Sequence, residues 1–549
     1  MLSSRGADHC AFFNRVESIR ATGFDNDLNA LTEFFAPQSH GFFGKNKSTG
    51  ISDRTKIFDS TPERALEDLS SALFTMMIDP SKKYLNWEIL DPDASETYDV
   101  ADFLQDAEEY VMKVFASDNS NFFESASDVY ESTPLYGQSY ITMMKDPSEK
   151  EVKFSSIPTQ EGYVQRDQYK KVTAFFRKSL MTARQIRVEF KDKRGGEFSA
   201  QDWEELATKE QMSPNTEMQI IQLITKKGDV INQKSLQPYT SIWIDYTKKK
   251  ILSEEGLDYF PILAPTWKLR SGEPYGRGVG HRALADTAVL HQMVKDNMGA
   301  AQAMVRPAIA APFGLVLDDQ IDLSPQAINW TVQSAASLAM GGLGDIKPIH
   351  VIGELPIALG MEDRRREGVQ KAFYADLLME FKNAEMSATE SSQNLQARIA
   401  KLTSPFIRLE YGFLAPAAMF VLQCGLEFKH LVLPEQLKGK KLKPIFTTAL
   451  YDTMKAMKLS KIERALSSLG NTAGLPPTIL NGLLPAKLNL AIFDLAGADL
   501  DLIRDPDETE KMNEEMRKRE ADNQQAQTIA GAGSGLKDLS QAFTNTQGL

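Results

Sequence analysis

Residues 259–307 read YFPILAPTWKLRSGEPYGRGVGHRALADTAVLHQMVKDNMGAAQAMVRP, and this stretch decides the fold. Its first part, 259–269, is apolar and aromatic with two prolines, which favours an edge strand or an extended run. Residues 271–280 contain four glycines and one proline and predict a tight loop. We expect at least one of these glycines to adopt a positive φ, because the chain must turn from an extended run into a helix within a few residues.

The third part, 281–306, has the apolar pattern of a helix. The residues that recur at three- and four-residue spacing are Leu290, Met293, Val294, Met298, Ala301, Met304 and Val305. Pro307 ends the run, and a helix over 281–306 would be about 39 Å long. Three alanines, at 300, 301 and 303, make one face thin enough for another backbone to approach closely.

The composition is that of an ordinary soluble protein with about two to four domains. The chain has 549 residues, and its formal net charge of −12 argues against a tight, general nucleic-acid binder. Its two cysteines, Cys10 and Cys424, cannot make a disulfide framework, so we expect a reducing compartment. The longest apolar run, 413–426, is too short to cross a bilayer, so we expect no membrane contact.

The order of the elements predicts an α+β fold. Residues 11–35, 61–79 and 98–115 have helical periodicity. Residues 151–268 change to short runs rich in β-branched and aromatic residues, which predict an antiparallel meander with one or two inserted helices. A second long helix is expected at 362–383, where apolar residues repeat every fourth position. The prolines and glycines between the two long helices predict short strands and loops.

Five blocks of this sequence resemble the portal proteins of short-tailed, podovirus-type phages, which are also called head-to-tail connectors. The blocks are the GEPYGRG loop with the following ALADTAVLHQM (272–293), DRTKIFDSTPERALEDLSSALFTMMIDPSKKYLNWEI (53–89), SNFFESASDVYESTPLYGQSYITMM (120–144), EMSATESSQNLQARIAKLTSPFIRLEYGFLAPAA (385–418) and DLDLIRDPDETEKMNEEMRKREADNQQ (499–525). The resemblance covers roughly residues 10–527 and depends on the order of the blocks. Two departures are His291, where the family usually carries a short polar residue, and Ser387, which replaces the first threonine of a Thr-Ala-Thr-Glu run.

The resemblance implies a function without catalysis. Members of that family form a dodecameric ring at one capsid vertex, and double-stranded DNA is packaged and ejected through the ring. The resemblance also implies docking of the terminase large subunit and then of tail adaptor proteins, and contact with the major capsid and scaffolding proteins. We therefore expect no cofactor and no metal, a place at the portal vertex of the virion, and presence in the host cytoplasm during assembly.

By position, the resemblance implies the domain plan of a portal subunit. The domains would be a wing (1–280), a first stem helix (281–306), a clip (307–360), a second stem helix (361–383), a channel loop with returning wing helices (384–440), a helical crown (441–527) and a disordered tail (528–549).

Three groups of residues are candidates for function. Those expected to face DNA are Lys295, Arg306, Asn383, Glu385, Thr389 and Glu390; those of the wing–stem hinge are Gly272, Gly276, Gly278 and Gly280; and the acidic residues of the clip are Asp318, Asp319, Asp322 and Asp345. An acidic conduit poor in lysine suits DNA that must slide, because phosphate-neutralising lysines would hold it. The basic run 364–366 is expected to be a solvated or inter-subunit face, with DNA contact as the lesser alternative.

Two other functions stay open. A nucleotide-dependent enzyme could use the glycine-rich loop 272–280, although this loop lacks the Lys-Ser/Thr of a Walker motif and the G-x-G-x-x-G spacing of a Rossmann motif. The histidines show no HExxH pattern, which disfavours a metal site. The second alternative is another ring-forming head–tail adaptor, which the length and the two long helices disfavour.

Overall fold

The structure, a computed structural model, describes residues 5–37, 57–78, 83–91, 98–193, 195–228, 237–312, 327–331, 347–348, 355–375 and 403–447. Its helices are α1 (Arg5–Gly23), α2 (Asp25–Phe35), α3 (Thr61–Met77), α4 (Tyr98–Ala116), α5 (Phe122–Tyr136), α6 (Ala183–Phe190), α7 (Ala200–Met212), α8 (Val279–Val305), α9 (Leu355–Ala372) and α10 (Thr403–Glu427). Its strands are β1 (Leu85–Ile89), β2 (Tyr140–Asp146), β3 (Glu151–Ile157), β4 (Gly162–Arg166), β5 (Val172–Thr182), β6 (Glu217–Lys226), β7 (Tyr239–Asp245), β8 (Lys250–Leu257), β9 (Ile262–Leu263), β10 (Ile309–Pro312), β11 (Ile328–Thr331), β12 (Lys347–Pro348) and β13 (Leu442–Phe446). The predicted combination of helices and sheets is confirmed.

The largest sheet is the antiparallel meander predicted for residues 151–268. Its five strands lie in the order β4-β5-β6-β7-β8, and each runs antiparallel to the next. β3 departs from the prediction, because it pairs with β2 in a separate sheet of order β3-β2-β9. Neighbouring residues of β6 face opposite sides: Ile221 packs with Phe13 of α1, and Ile220 packs with Leu206 of α7. The sheet therefore lies between α1 on one face and α6 with α7 on the other.

A buried arginine fixes α1 to this sheet. Arg20 is 0% exposed, and its guanidinium donates to the carbonyl oxygens of Gly162 (2.7 Å) and Gln160 (2.8 Å). Its Nε lies 2.9 Å from Asp25 Oδ1 at the start of α2, and its Cζ lies 3.6 Å from the centre of the Tyr163 ring. Because a buried charge is stable only when it is paired and hydrogen-bonded, these contacts join α1, α2 and β4.

The helices α3, α4, α5 and α10 pack together around an aromatic stack. The rings of Phe115 and Phe122 lie 3.7 Å apart and nearly parallel, and Phe122 also stacks on Phe413 of α10 at 5.6 Å. Phe154 of β3 meets Phe122 edge-on at 5.1 Å. The stack therefore joins α4, α5, α10 and the sheet β3-β2-β9 in one core.

Helix α10 continues through a proline. Residues Glu410–Leu414 form a π-helical turn in which the Ala415 N–H donates to Glu410 O, and this wider turn makes room for Pro416. The helix is therefore longer than the apolar run 413–426. The short length of that run, from which we expected no membrane contact, does not exclude a membrane span. Within the described ranges it is the one helix with the length and hydropathy of a membrane span, and 56% of its most apolar window is buried inside the protein. Such burial is typical of a core helix.

Helices α8 and α9 form an antiparallel pair, called here the α8–α9 hairpin. α8 begins two residues before the predicted start at 281 and ends one residue before the predicted end at 306. α9 begins at Leu355, so residues 355–360, assigned to the clip, are helical. Pro356 lies in the first turn of this helix, where a proline is tolerated because its missing N–H has no helical partner there. The prediction of one continuous helix to 383 is wrong, because Tyr374 has a φ of 61° and ends the helix.

Three short strands, β10, β11 and β12, lie between α8 and α9 along the sequence. They form a sheet of order β11-β10-β12, in which β10 runs parallel to β11 and antiparallel to β12. Strand β13 falls within the range assigned to the crown. It pairs antiparallel with β1, and Trp87 of β1 lies opposite Pro444 of β13. Residues 442–446, which the domain plan assigned to the crown, therefore belong with the helical core.

Replacing Arg20 by Ala is expected to lower the free energy of unfolding by about 3–5 kcal/mol, because Asp25 and two carbonyl groups lose their buried partner. Arg15→Ala removes an exposed arginine from the same helix and should change it by less than about 0.5 kcal/mol. Urea denaturation of both variants beside the wild type measures the difference. Equal midpoints for the two variants would contradict this role of Arg20.

Candidate functional site

The glycine-rich loop lies directly on the end of α5. A Cβ added at Gly276 would lie 2.1 Å from Gly137 O, and one at Gly278 would lie 2.0 Å from Pro134 O. A Cβ added at Gly280 would lie 2.7 Å from Leu135 O, a third carbonyl oxygen at the end of α5. These three positions are therefore glycine because two backbones cross there with no space for a side chain.

Gly272 is glycine for a different reason. Its φ is 83°, and its Cβ position has nothing within 4 Å, so the expectation of a positive φ in the loop is confirmed at this residue. The crossing also bears on the nucleotide-binding alternative. A phosphate needs N–H groups directed at it, and the N–H groups of Gly276, Arg277 and Gly278 donate within the protein, to Gln138 Oε1, Lys268 O and His281 Nδ1. These contacts disfavour residues 272–280 as a phosphate-binding loop.

Hydrogen bonds hold the crossing and start α8. The Trp267 N–H donates to Gly137 O at 2.9 Å, and the Arg277 N–H donates to Lys268 O at 2.8 Å. At the first turn of α8, the Gly278 N–H donates to Nδ1 of His281 at 3.2 Å. Burial lowers the pKa of His281 to about 4, so the imidazole is neutral at pH 7 and its Nδ1 can accept this hydrogen bond.

Polar contacts run along the α8–α9 hairpin. Asp286 of α8 pairs with Arg365 of α9 at 2.5 Å. Further along, the Asn297 amide donates to Glu362 Oε2 at 2.9 Å. These contacts fix the register of the two antiparallel helices.

Arg366 is not the solvated residue predicted from the basic run. Its Nε donates to Asp59 Oδ2 at 2.8 Å and its Nη1 to Asp363 Oδ1 at 3.0 Å, and it also contacts Glu362. The other oxygen of Asp59 accepts from the N–H of Thr61, the first residue of α3, at 2.7 Å. Burial acts to raise the pKa of Asp59, but hydrogen bonds from Thr61 and Arg366 outweigh it and lower that pKa. Arg366 thereby connects α9 to the start of α3.

His291 connects the same turn to α8. Its Nδ1 accepts from the N–H groups of Phe58 (3.1 Å) and Asp59 (3.3 Å), and its ring stacks on Phe34 at 5.2 Å. Burial lowers the pKa of His291, which keeps this nitrogen free to accept. We call Asp59, His291 and Arg366 the junction. Sequence reasoning missed it, although the departure from the family at His291 was a signal.

Of the six residues predicted to face DNA, two lie within the described residues. Lys295 and Arg306 are exposed on and just after α8, and neither has an acidic partner among the described residues. Lys295 Nζ lies 5.8 Å from the centre of the Phe58 ring. The other DNA candidates and the clip acids lie outside the described residues; they are Asn383, Glu385, Thr389, Glu390, Asp318, Asp319, Asp322 and Asp345. In the ranges that are described, no group of three or more His, Cys, Asp or Glu side chains could hold a metal ion.

Comparison with known proteins gives a family match over nearly the whole chain. The family described as bacteriophage head to tail connecting protein matches residues 11–503. The probable portal protein of Bordetella phage BPP-1 is 23% identical over 509 residues, which is 90% of this chain and 88% of that protein. The portal protein of Salmonella phage epsilon15 is 22% identical over 542 residues, covering 95% of this chain and 93% of that protein. A chain from the virion of a native gene transfer agent particle matches 84% of this chain and 94% of its own length, with 9% identity and a TM-score of 0.37.

Gly276→Ala is expected to destabilise the protein by about 1–3 kcal/mol, because the added methyl group would lie 2.1 Å from a backbone oxygen that cannot move freely. Gly299→Ala is the matched control: it lies inside α8 with nothing within 4 Å, and should stabilise by about 0.5–1 kcal/mol. Thermal or urea unfolding of both variants measures these opposite signs. A Gly276→Ala protein as stable as the wild type would show that the crossing has room to spare.

Stability is expected to fall as the pH is lowered from about 6.5 to about 4. His281 has a folded pKa of about 4 against an ordinary value of 6.5, so the unfolded state binds more protons in this window. Its contribution should be at most about 3 kcal/mol, since one pKa unit corresponds to about 1.4 kcal/mol. Urea midpoints measured across this pH range in the wild type and in His281→Asn test it, because Asn keeps an acceptor and cannot titrate there. The variant should show the shallower pH dependence, and identical slopes would exclude the assignment.

Proposed function

The chain belongs to the family of bacteriophage head to tail connecting proteins, and we propose that it acts as a phage portal protein. The observation that carries this proposal is the match of that family to residues 11–503. Two relatives named as portal proteins support it, because each aligns with at least 90% of this chain. In this role the protein forms the channel at one capsid vertex through which double-stranded DNA is packaged and ejected.

The subunits of this channel would form a dodecameric ring. Large apolar side chains are exposed on the α8–α9 hairpin, and a ring would cover them between neighbouring subunits. On α8 these are Val289 (43% exposed) and Met298 (50%), and on α9 they are Leu359 (46%) and Met361 (52%). A monomer would leave all four in water.

The domain plan of the proposal follows the chain. The wing comprises residues 1–280, α8 and α9 are the stem helices, and the sheet β11-β10-β12 belongs to the clip. The channel loop and returning wing would occupy residues 384–440, and the crown and tail would follow the β13 strand. In this plan Lys295, Arg306 and the residues of the 383–390 segment face the DNA.

The partners of the proposal follow from the same plan. The clip would dock the terminase large subunit and then the tail adaptor proteins, and the wing would meet the major capsid and scaffolding proteins. The chain would then be a component of the virion, present in the host cytoplasm during assembly. It would carry no catalytic activity, cofactor or membrane anchor of its own, since the motor that docks on it would hydrolyse ATP.

The purified protein is expected to form a ring with a central hole, many times larger than its 61.2 kDa subunit. Light scattering and negative-stain images measure this. Met298→Glu should reduce the ring fraction, because it places a charge on an exposed apolar side chain of the hairpin, whereas Gln302→Glu adds the same charge at an exposed polar position and should assemble normally. A single 61.2 kDa species at micromolar concentration, or steady ATP turnover by the purified chain, would refute the proposal.

A further inference from the structure

An open groove of about 680 Å³ lies beside helix α10, and we call it the basic groove. Its walls are the tip of the β4–β5 hairpin (166–172), the extended segment 260–266 and residues 407–416 of α10. The cations in its lining are Arg166, Lys170, Lys171 and Arg408. The lining residues that the structure describes include no aspartate and no glutamate. The groove is thus a local reversal of charge in a chain with a net charge of −12.

Apolar and aromatic groups complete the lining. Tyr169 is 75% exposed at the hairpin tip, and Tyr411 (54%) and Ile407 (43%) are exposed on the opposite wall. Ile262 and Leu263 of β9 lie between the walls. Exposed tyrosine and arginine side chains beside an apolar floor are the groups that most often anchor a protein partner.

The groove has a fixed shape. Asp167 Oδ1 accepts from the N–H groups of Tyr169 and Lys171, each at 2.8 Å, and so holds the hairpin tip in a turn. The Arg166 Nε donates to Pro274 O at 2.9 Å. Its Nη1 donates to Lys170 O at 3.0 Å. Arg166 thus ties the hairpin tip to the glycine-rich loop and helps to fix this wall of the groove.

Helix α10 holds the opposite wall. Arg408 Nη1 donates to Trp267 O at 2.5 Å, and Lys443 Nζ lies 5.6 Å from the centre of the Tyr411 ring. Both walls are therefore preorganised, which lowers the entropy lost when a partner binds.

We propose that the basic groove docks an acidic peptide segment of another protein. Its carboxylates would pair with the exposed cations Lys170, Lys171 and Arg408, and an apolar side chain would pack between Tyr169 and the α10 wall. The apolar part of the lining favours a peptide over a nucleic acid. Ile407 is exposed beside the buried Ile262 and Leu263, and a peptide with an apolar side chain can cover this surface whereas a phosphodiester backbone cannot. This docking role does not depend on the function as a portal.

The test uses the full-length protein and a short fluorescein-labelled peptide of alternating glutamate and leucine. Fluorescence anisotropy should show binding that weakens as salt is added. The charge-reversal variant Lys170→Glu/Lys171→Glu and the variant Tyr169→Ala should each raise Kd by about tenfold or more. Lys209→Glu, which reverses an exposed lysine of α7, should leave Kd unchanged, because α7 packs on the opposite end of β6, at Met218 and Ile220. All of these side chains are exposed, so the variants should fold; circular dichroism checks this.

Three other results would overturn the proposal. One is binding of a DNA duplex, with the same dependence on the variants, when the acidic peptide fails to bind. Another is a change of oligomer size in the groove variants without peptide binding, which would make the groove a contact between copies of this chain. The third is absence of binding, or binding that the groove variants and Lys209→Glu affect equally.

Discussion

The crossing of two backbones at Gly137 and Gly276 is the contact on which the arrangement of this chain depends. Gly137 takes a φ of 85° to end α5, and a Cβ there would lie 2.4 Å from Gly276 O. A Cβ at Gly276 would in turn lie 2.1 Å from Gly137 O. Because neither residue can carry a side chain, the loop lies directly on the end of α5. The direction in which α8 leaves the crossing is thus set by backbone contact, which side-chain repacking cannot shift.

The junction adds a second fixed point to α8. His291 lies twelve residues into this helix, about 18 Å from its start, and holds the 57–60 turn by two hydrogen bonds. Arg366 holds the same turn from α9, and Arg282 donates to Ala372 O to keep α9 alongside α8. A helix fixed both at its base and part of the way along cannot swing as a rigid body without breaking these bonds. In a portal, force on the hairpin would therefore pass to the start of α3.

Local sequence signals predict most of the helices and the antiparallel sheet, because hydrophobic period and turn residues act over a few positions. They fail where one residue type is compatible with two structures. Pro356 favours a loop, but a proline is also common in the first turn of a helix, where the structure has it. They also fail where a contact is distant in sequence. Asp59 and Arg366 are 307 residues apart, and nothing near the basic run indicates that one of its arginines is paired. For the same reason the glycines of the loop are predictable as a turn, while their need for a bare backbone depends on α5.

The hairpin uses much of its own positive charge internally. Arg365 is paired with Asp286 and Arg366 with the carboxylates of the junction, while Lys295, Arg306 and Arg364 are exposed without an acidic partner among the described residues. Each phosphate neutralised by a cation adds a salt-dependent hold on DNA, so a hairpin with few free cations along a channel would guide a duplex and let it slide. The basic groove has the opposite character, since its cations lie in a fixed, partly apolar site where a bound partner would be held. In a chain with a net charge of −12, the hairpin is thus suited to let DNA slide past, whereas the basic groove is suited to hold a bound partner.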